Sequence, residues 1–128
     1  MGEGAKYEQL VRDFCQAWAD ADTDRVVATF TADGVYHNIP VDPVVGHEGI
    51  RAVIEGFTIG MGLKVVEFRI DNIVSNGPVV VTERVDIFEK ASGDRIELPV
   101  LGIFEFEGDL IAKWREYFDM GGFMAQLG

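Results

Sequence analysis

The sequence has a single cysteine, two histidines and no long apolar run, and each shortage excludes a class of protein. With Cys15 alone, the chain cannot form an intramolecular disulfide. Its place in an apolar helical pattern is typical of a small core residue and favours a reducing compartment. His37 and His47 lack metal-ligand spacing with each other or with Cys15, so no metal site is predicted. No stretch has the length of a membrane span, and the polar start lacks the apolar segment of a signal peptide, so a cytoplasmic protein is expected.

Basic residues are also scarce, because 11 Lys and Arg stand against 22 Asp and Glu, for a formal net charge of −11. The basic residues are scattered, which argues against binding to nucleic acid or to an anionic membrane. The sequence contains no glycine-rich phosphate loop or nucleotide fingerprint, so no organic cofactor is predicted. No repeat, linker or low-complexity tract divides the 128 residues. One domain spanning 1–128 is therefore predicted.

The hydrophobic periodicity predicts helices first and strands afterwards. The predicted helices are 7–19, 24–30 and 47–57, with a short extended segment at 34–40. The predicted strands are 63–74, 79–89, 96–107 and 110–118. Short turn sequences separate these strands, which indicates an antiparallel meander and the α+β class. Both faces of the strands carry apolar residues, so helices cover one face and a second subunit is expected on the other, which predicts a homodimer.

Polar side chains occupy three otherwise apolar extended segments. Tyr36 and Asn38 share one face of their segment, Arg84 and Asp86 share one face of theirs, and Asp119 closes the last strand. Each has an ordinary interpretation when taken alone. The arginine and its aspartate could be an exposed pair opposite a valine-rich core face, and Asp119 could cap a helix. The tyrosine and asparagine could be loop and turn residues.

Taken together, three segments resemble the limonene-1,2-epoxide hydrolase family. They are DGVYHNIPVDPVVG, ERVDIF and LPVLGIFEFEGDLIAKWREYFD, and the likeness runs from about Phe14 to Phe123. The family's fold is a curved antiparallel sheet with helices packed in its concave side. Nuclear transport factor 2 and ketosteroid isomerase share this cone-shaped architecture. The resemblance therefore implies an α+β cone, in agreement with the order of helices and strands.

The resemblance also implies five site residues with defined roles. Asp119 would be the general base, with Tyr36 and Asn38 holding the attacking water, and Asp86 would be the general acid that protonates the epoxide oxygen. Arg84 would lie between the two aspartates and hydrogen-bond both. Water would add to the epoxide in one step, without a covalent intermediate, to give a vicinal diol. Arg84 and Asp86 are then expected to be buried, with Asp119 within reach of Arg84.

The implied partners are water and a small apolar epoxide, such as a cyclic terpene oxide or a lipid-like epoxide. Its pocket is expected to be apolar. The candidate walls are Phe14, Trp18, Phe30, Ile54, Val80, Leu101, Ile103 and Phe123. Two alternatives remain open on the same fold. One is an enzyme resembling ketosteroid isomerase or a polyketide cyclase, and the other is a non-catalytic module that binds a small ligand.

Overall fold

The computed structural model describes residues 2–128, which form helices packed against a six-stranded sheet. The helices are α1 (Glu3–Ala19), α2 (Thr23–Ala28), α3 (Gly46–Glu55) and α4 (Met120–Leu127), and a π-helical turn (Gly56–Gly60) follows α3 directly. The strands are β1 (Phe30–Asn38), β2 (Val44–Val45), β3 (Lys64–Asn76), β4 (Val79–Glu89), β5 (Arg95–Glu107) and β6 (Leu110–Tyr117). The predicted α+β class is confirmed. Within residues 2–128, no helix is long and apolar enough to cross a membrane.

The strands are ordered β2-β1-β6-β5-β4-β3 across the sheet. Strands β3 to β6 form the predicted antiparallel meander. Strand β1 runs parallel to β6, so the sheet is mixed rather than wholly antiparallel. This parallel pair is possible because most of the chain lies between the two strands, which supplies the long connection that parallel neighbours need.

Strand β1 begins earlier than the sequence indicates. The ADG sequence at 32–34 predicts a turn, yet the strand starts at Phe30 and passes through it. The pairing with β6 shifts between Phe30 and Val35, and this irregularity absorbs the extra residues. A short strand, β2, also forms within the sequence VDPVVG at 41–46, whose composition is typical of a loop. In both places strand pairing overrides the local turn chemistry, because β1 pairs with the distant β6 and β2 pairs with β1.

The core lies between the helices and the inner face of the sheet. Strand β4 alternates, and its inward side chains are Val80, Thr82, Arg84, Asp86 and Phe88. The valine-rich face of β4 is therefore the outer one, as the resemblance implied. Helix α1 packs Phe14 edge-on against Trp114 of β6, with ring centroids 4.9 Å apart. This aromatic contact packs α1 against β6 on the inner face of the sheet.

Candidate active site

Arg84 lies at the centre of a buried polar cluster on the inner face of β4. The residue is 1% exposed, and each of its five N–H groups donates a hydrogen bond. Nε and Nη2 donate to the two carboxylate oxygens of Asp86 at 3.0 and 2.9 Å. Nη1 donates to Thr82 Oγ1 at 3.0 Å and to Glu116 Oε2 at 3.1 Å, and Nη2 also donates to Glu116 Oε1. The prediction that Arg84 and Asp86 are buried is confirmed.

The second carboxyl group held by Arg84 belongs to Glu116. Glu116 is buried on the inner face of β6. Asp119 lies beyond the end of β6, where it is exposed at the N-cap position of α4. Among residues 2–128, no hydrogen bond or ion pair joins Asp119 to Arg84, whose N–H groups are all engaged. The prediction that Asp119 reaches Arg84 is wrong, because β6 ends at Tyr117 and Asp119 lies outside the strand, at the start of α4.

Burial and the shared guanidinium control the ionisation of the two carboxyl groups. Burial raises the pKa of Glu116 to about 7, against the opposing attraction of Arg84. Burial also raises the pKa of Asp86, again opposed by Arg84. Burial alone would lower the pKa of Arg84, but Glu116 and Asp86 together raise it well above its usual value. One guanidinium balances one carboxylate, so a proton kept on the carboxyl pair avoids a second buried negative charge.

Strand β1 places Tyr36 and Asn38 beside this cluster. In the parallel pairing with β6, Tyr36 lies opposite Trp114 and Asn38 lies opposite Glu116. The Tyr36 ring stacks on Trp114 with centroids 4.4 Å apart and planes 12° from parallel, which fixes its orientation. Burial, with a smaller contribution from the charge of Glu116, raises the pKa of Tyr36 above its usual value. Its hydroxyl group therefore keeps its proton and can donate a hydrogen bond.

The polar side chains converge on a small cavity, here called the inner cavity. Tyr36, Asn38, Asp86 and Glu116 all line it, and its volume is about 30 Å³. The remaining walls are Trp18, Phe57, Phe68, Phe88, Leu98, Val100, Trp114, Phe118 and Phe123. A cavity of this size, with these four polar side chains on its wall, has room for one water molecule. The apolar walls keep bulk solvent away from that position.

A larger cavity, here called the outer cavity, adjoins the inner one. The two share Tyr36, Asn38, Phe57, Phe118 and Phe123 as walls. The further outer walls are Val41, Asp42, Val53, Gly56, Met61, Met120 and Met124. Its volume of about 260 Å³ is close to the lower end of small-molecule sites. The pair of cavities thus joins a water-sized polar end to a wider apolar chamber.

Only part of the predicted pocket wall lines these cavities. Trp18 and Phe123 line the inner cavity, and Phe123 lines the outer one as well. The residues buried in the core instead are Phe14, Phe30, Ile54 and Val80. Leu101, which is 42% exposed, and Ile103 lie on the outer face of β5, so the prediction that they line the pocket is wrong. Side chains alternate between the two faces of a strand, so the even-numbered residues next to Leu101 and Ile103 are the ones that point inward.

The two histidines lie apart from the carboxyl cluster. His37 and His47 each form a hydrogen bond of 3.0 Å through Nε2 with a backbone carbonyl, of Val41 and Phe30 respectively. Within residues 2–128, no group of three His, Cys, Asp or Glu side chains is placed to hold a metal ion. The polar groups at the site are two carboxyl groups, a guanidinium, a phenol and an amide.

A family model described as "Limonene-1,2-epoxide hydrolase catalytic domain" matches residues 5–127, nearly the whole chain. The chain belongs to the limonene-1,2-epoxide hydrolase family. Epoxide hydrolase EphG of Mycobacterium tuberculosis is 30% identical over 110 residues, which are 86% of this chain and 71% of that protein. The expected membership is thus confirmed.

Solved structures support the same family and fold. A limonene-1,2-epoxide hydrolase-like epoxide hydrolase of M. tuberculosis has a TM-score of 0.83 at 28% identity, covering 98% of this chain and 92% of that chain. A Catenulispora acidiphila protein with a ketosteroid isomerase-like fold has a TM-score of 0.80 at 21% identity, covering 93% and 92%. The predicted cone-shaped fold is confirmed.

Glu116 is the site residue that the sequence reasoning missed. The resemblance to the limonene-1,2-epoxide hydrolase family implied two aspartates, and the nearest unassigned aspartate in WREYFD is Asp119. The structure places a glutamate of the same segment at Arg84 instead. A signal was present, because Glu116 is two residues from Trp114, whose large apolar side chain marks the inward face of β6.

Proposed function

We propose that the protein hydrolyses a neutral, apolar epoxide to a vicinal diol by general acid and base catalysis. The observation that carries this proposal is the buried Asp86–Arg84–Glu116 cluster, whose two carboxyl groups line a water-sized cavity together with Tyr36 and Asn38. Family membership and the named epoxide hydrolase relatives support the same reaction.

Glu116 takes the role of general base that the family resemblance implied for Asp119. It lies beside Tyr36 and Asn38, which offer a hydroxyl and an amide to hold a water molecule against its carboxylate. Ionised Glu116 accepts a proton from this water while the water oxygen attacks an epoxide carbon. A pKa of about 7 suits this role, because a base is most effective when its pKa lies near the working pH.

Asp86 takes the role of general acid. In its protonated form it donates a proton to the epoxide oxygen as the carbon–oxygen bond breaks. The reaction starts from the form of the carboxyl pair in which Asp86 carries the proton and Glu116 is ionised. It ends with a proton on Glu116 and none on Asp86, and the proton is returned before the next turnover. Arg84 holds both carboxyl groups in a fixed fork throughout. No bond forms between a carboxylate and the substrate, so no ester intermediate arises.

The oxirane and the body of the substrate occupy different cavities in this proposal. The inner cavity has room for the attacking water, so the oxirane lies where the two cavities meet, near Tyr36 and Phe123. The body of the substrate extends into the outer cavity. Asp42 is the one charged side chain among the described residues lining that cavity, and its negative charge disfavours a substrate that carries a carboxylate. A cyclic terpene oxide or a neutral lipid-like epoxide fits this description.

Three broader expectations accompany the proposal: one domain spanning 1–128, a homodimer and a cytoplasmic location. The homodimer is supported by the outer face of the sheet. Leu101 and Tyr117 are direct neighbours across β5 and β6 on that face, and they are 42% and 41% exposed. A second copy of the chain would bury these apolar side chains.

The alternatives on this fold fit the cluster less well. Proteins of this fold include some described as polyketide cyclases. An isomerase or cyclase needs a base and a donor aimed at a developing oxyanion, which Glu116 and Tyr36 could supply. It gives no role to Arg84 bridging two carboxyl groups or to Asn38 beside them. A module that only binds an apolar ligand would gain nothing from burying Arg84, Asp86 and Glu116 together, since burial of charges is costly.

Diol formation from a panel of neutral epoxides tests the proposal. Wild-type protein should convert at least one of them, and Asp86→Asn and Glu116→Gln should each lower the rate by about 10²- to 10⁴-fold, the usual contribution of a general acid or base. Asp119→Asn is the matched control and should retain most of the activity. Full activity of the Asp86→Asn variant, or isomerisation of a Δ5-ketosteroid without turnover of any epoxide, would refute the proposal.

A further inference from the structure

Arg84 and Glu116 meet across an intervening strand. Arg84 is on β4 and Glu116 is on β6, and β5 lies between them. Adjacent strands are about 4.8 Å apart, so the two backbones are separated by about 10 Å. The residue of β5 directly opposite Glu116 is Gly102, which is also opposite Thr82 of β4. The side chains of Arg84 and Glu116 therefore meet above Gly102.

Gly102 leaves the space in which this contact forms. A Cβ atom at position 102 would lie closer than 3.0 Å to Nη1 of Arg84 and to Oε2 of Glu116, and 3.0 Å from Oγ1 of Thr82. These are the atoms that hydrogen-bond one another in the cluster. We infer that Gly102 is a positioning residue, whose missing side chain lets Arg84 reach Glu116 and so assembles the carboxyl pair.

The backbone gives no other reason for glycine at this position. Gly102 lies in the interior of the 13-residue strand β5, and its φ is not in the left-handed region. Glycine weakens a strand interior and often marks a place where another group approaches closely. Here the approaching groups are the ends of two buried, charged side chains. Both ends are flexible, so a methyl group at 102 would displace them without preventing the strand from forming.

Thr82 completes the same arrangement. It is fully buried, and its Oγ1 accepts a hydrogen bond from Nη1 of Arg84 at 3.0 Å. The same hydroxyl group lies 3.5 Å from the carbonyl oxygen of Gly102, to which it donates. Nη1 thus donates one of its N–H groups to Thr82 and the other to Glu116. The hydroxyl fixes the edge of the guanidinium that faces Glu116.

Displacing Arg84 from Glu116 has a defined electrostatic consequence. The titratable groups that act on Glu116 are Arg84 and Asp86 from β4 and Tyr36 from β1, and the Cys15 thiol of α1 is close enough to respond to the same charges. Of these, only Arg84 favours the ionised form of Glu116. With Arg84 displaced and burial unchanged, the carboxylate loses its main stabilising partner, so the proton binds more tightly.

The variant Gly102→Ala tests this inference. The pKa of Glu116, followed by NMR of the side-chain carboxyl carbon in ligand-free protein, should rise above its wild-type value. A rise of about one pKa unit lowers the ionised fraction at pH 7 by about fivefold. The inference rests on the proposed function for its kinetic readout, in which kcat at pH 7 falls by at least that factor and recovers as the pH is raised. Because the NMR measurement needs no substrate, it remains decisive if no epoxide is turned over.

Gly108→Ala is the matched control. Gly108 has a φ of +61°, and a Cβ added there meets no atom within 4 Å. Alanine at 108 therefore strains the backbone and lowers stability without touching the cluster, so the Glu116 pKa and the pH profile should stay as in the wild type. If Gly102→Ala leaves both unchanged, or if Gly108→Ala shifts them equally, the inference is wrong.

A double variant covers the case in which Gly102→Ala does not fold. Glu116→Asp withdraws the carboxyl group by one methylene and makes room for a methyl group at 102. The double variant should then fold under conditions in which Gly102→Ala alone does not. Failure of the double variant to fold would show that the space above Gly102 is not shared with the Glu116 side chain.

Discussion

Replacing Glu116 with glutamine should remove a pH dependence of folding stability. In the folded chain burial keeps the proton on Glu116 up to a pKa of about 7, whereas the ordinary value is 4.5. Between these two pH values the folded state binds more protons than the unfolded state. The free energy of unfolding therefore falls as pH rises through this window, and the contribution of Glu116 is fully present only below about pH 4.5.

The size of the effect follows from the two pKa values. Each pKa unit corresponds to about 1.4 kcal/mol, so the difference between 4.5 and about 7 corresponds to about 3 kcal/mol. Glutamine has no proton to lose in this range. Its amide group faces an N–H of Arg84, so a loss of stability that does not depend on pH is also expected. The prediction therefore concerns the slope and not the stability at any single pH.

Urea unfolding at several pH values between 4.5 and 8 measures this slope. The wild-type free energy of unfolding should decrease over the window by about 3 kcal/mol more than that of Glu116→Gln. Asp119→Asn serves as the control, because Asp119 is exposed at the start of α4 and should leave the wild-type slope in place. Equal slopes for wild type and Glu116→Gln would refute the view that Glu116 is a buried carboxyl group with a raised pKa.

Three further predictions concern the phenol, the thiol and the outer face of the sheet. Tyr36→Phe keeps the ring that stacks on Trp114 but lacks the hydroxyl proposed to hold water. Diol formation should therefore slow by about tenfold with little change in the melting temperature. An unchanged rate would contradict the role of the hydroxyl. Cys15 is buried, and burial raises the pKa of its thiol to about 12. A disulfide reagent should therefore modify Cys15 only when the protein unfolds. Rapid labelling of the native protein would contradict this prediction. Leu101→Glu should convert a wild-type dimer to a monomer in analytical ultracentrifugation, and a monomeric wild type would disprove the dimer.

The order of elements could be predicted from the sequence because it depends on local patterns. The meander from β3 to β6 follows from four apolar stretches and the short turn sequences between them. The path of β1 could not be predicted in the same way. Its start at Phe30 and its parallel register depend on pairing with β6, about 80 positions further along the chain. Long-range pairing of this kind leaves no local signal.

The candidate site shows what strand geometry adds to a resemblance. Periodicity alone favoured an exposed pair at Arg84 and Asp86, and the resemblance correctly placed both in the interior. The resemblance also favoured an aspartate as the second partner of Arg84, although alternation along β6 turns Glu116 inward instead. Gly102 gave no signal, since its importance appears only when the side chains above it are seen to meet.

The most direct test of the central claim is a single turnover in water enriched in oxygen-18, with protein in excess over an epoxide substrate. If Glu116 activates water that attacks the epoxide carbon directly, the diol from the first turnover carries one labelled oxygen and the protein carries none. If a carboxylate such as Asp86 attacks the carbon instead, the first diol is unlabelled and mass spectrometry finds the label in the peptide that contains that carboxylate. The first result supports one-step addition of water, and the second contradicts it.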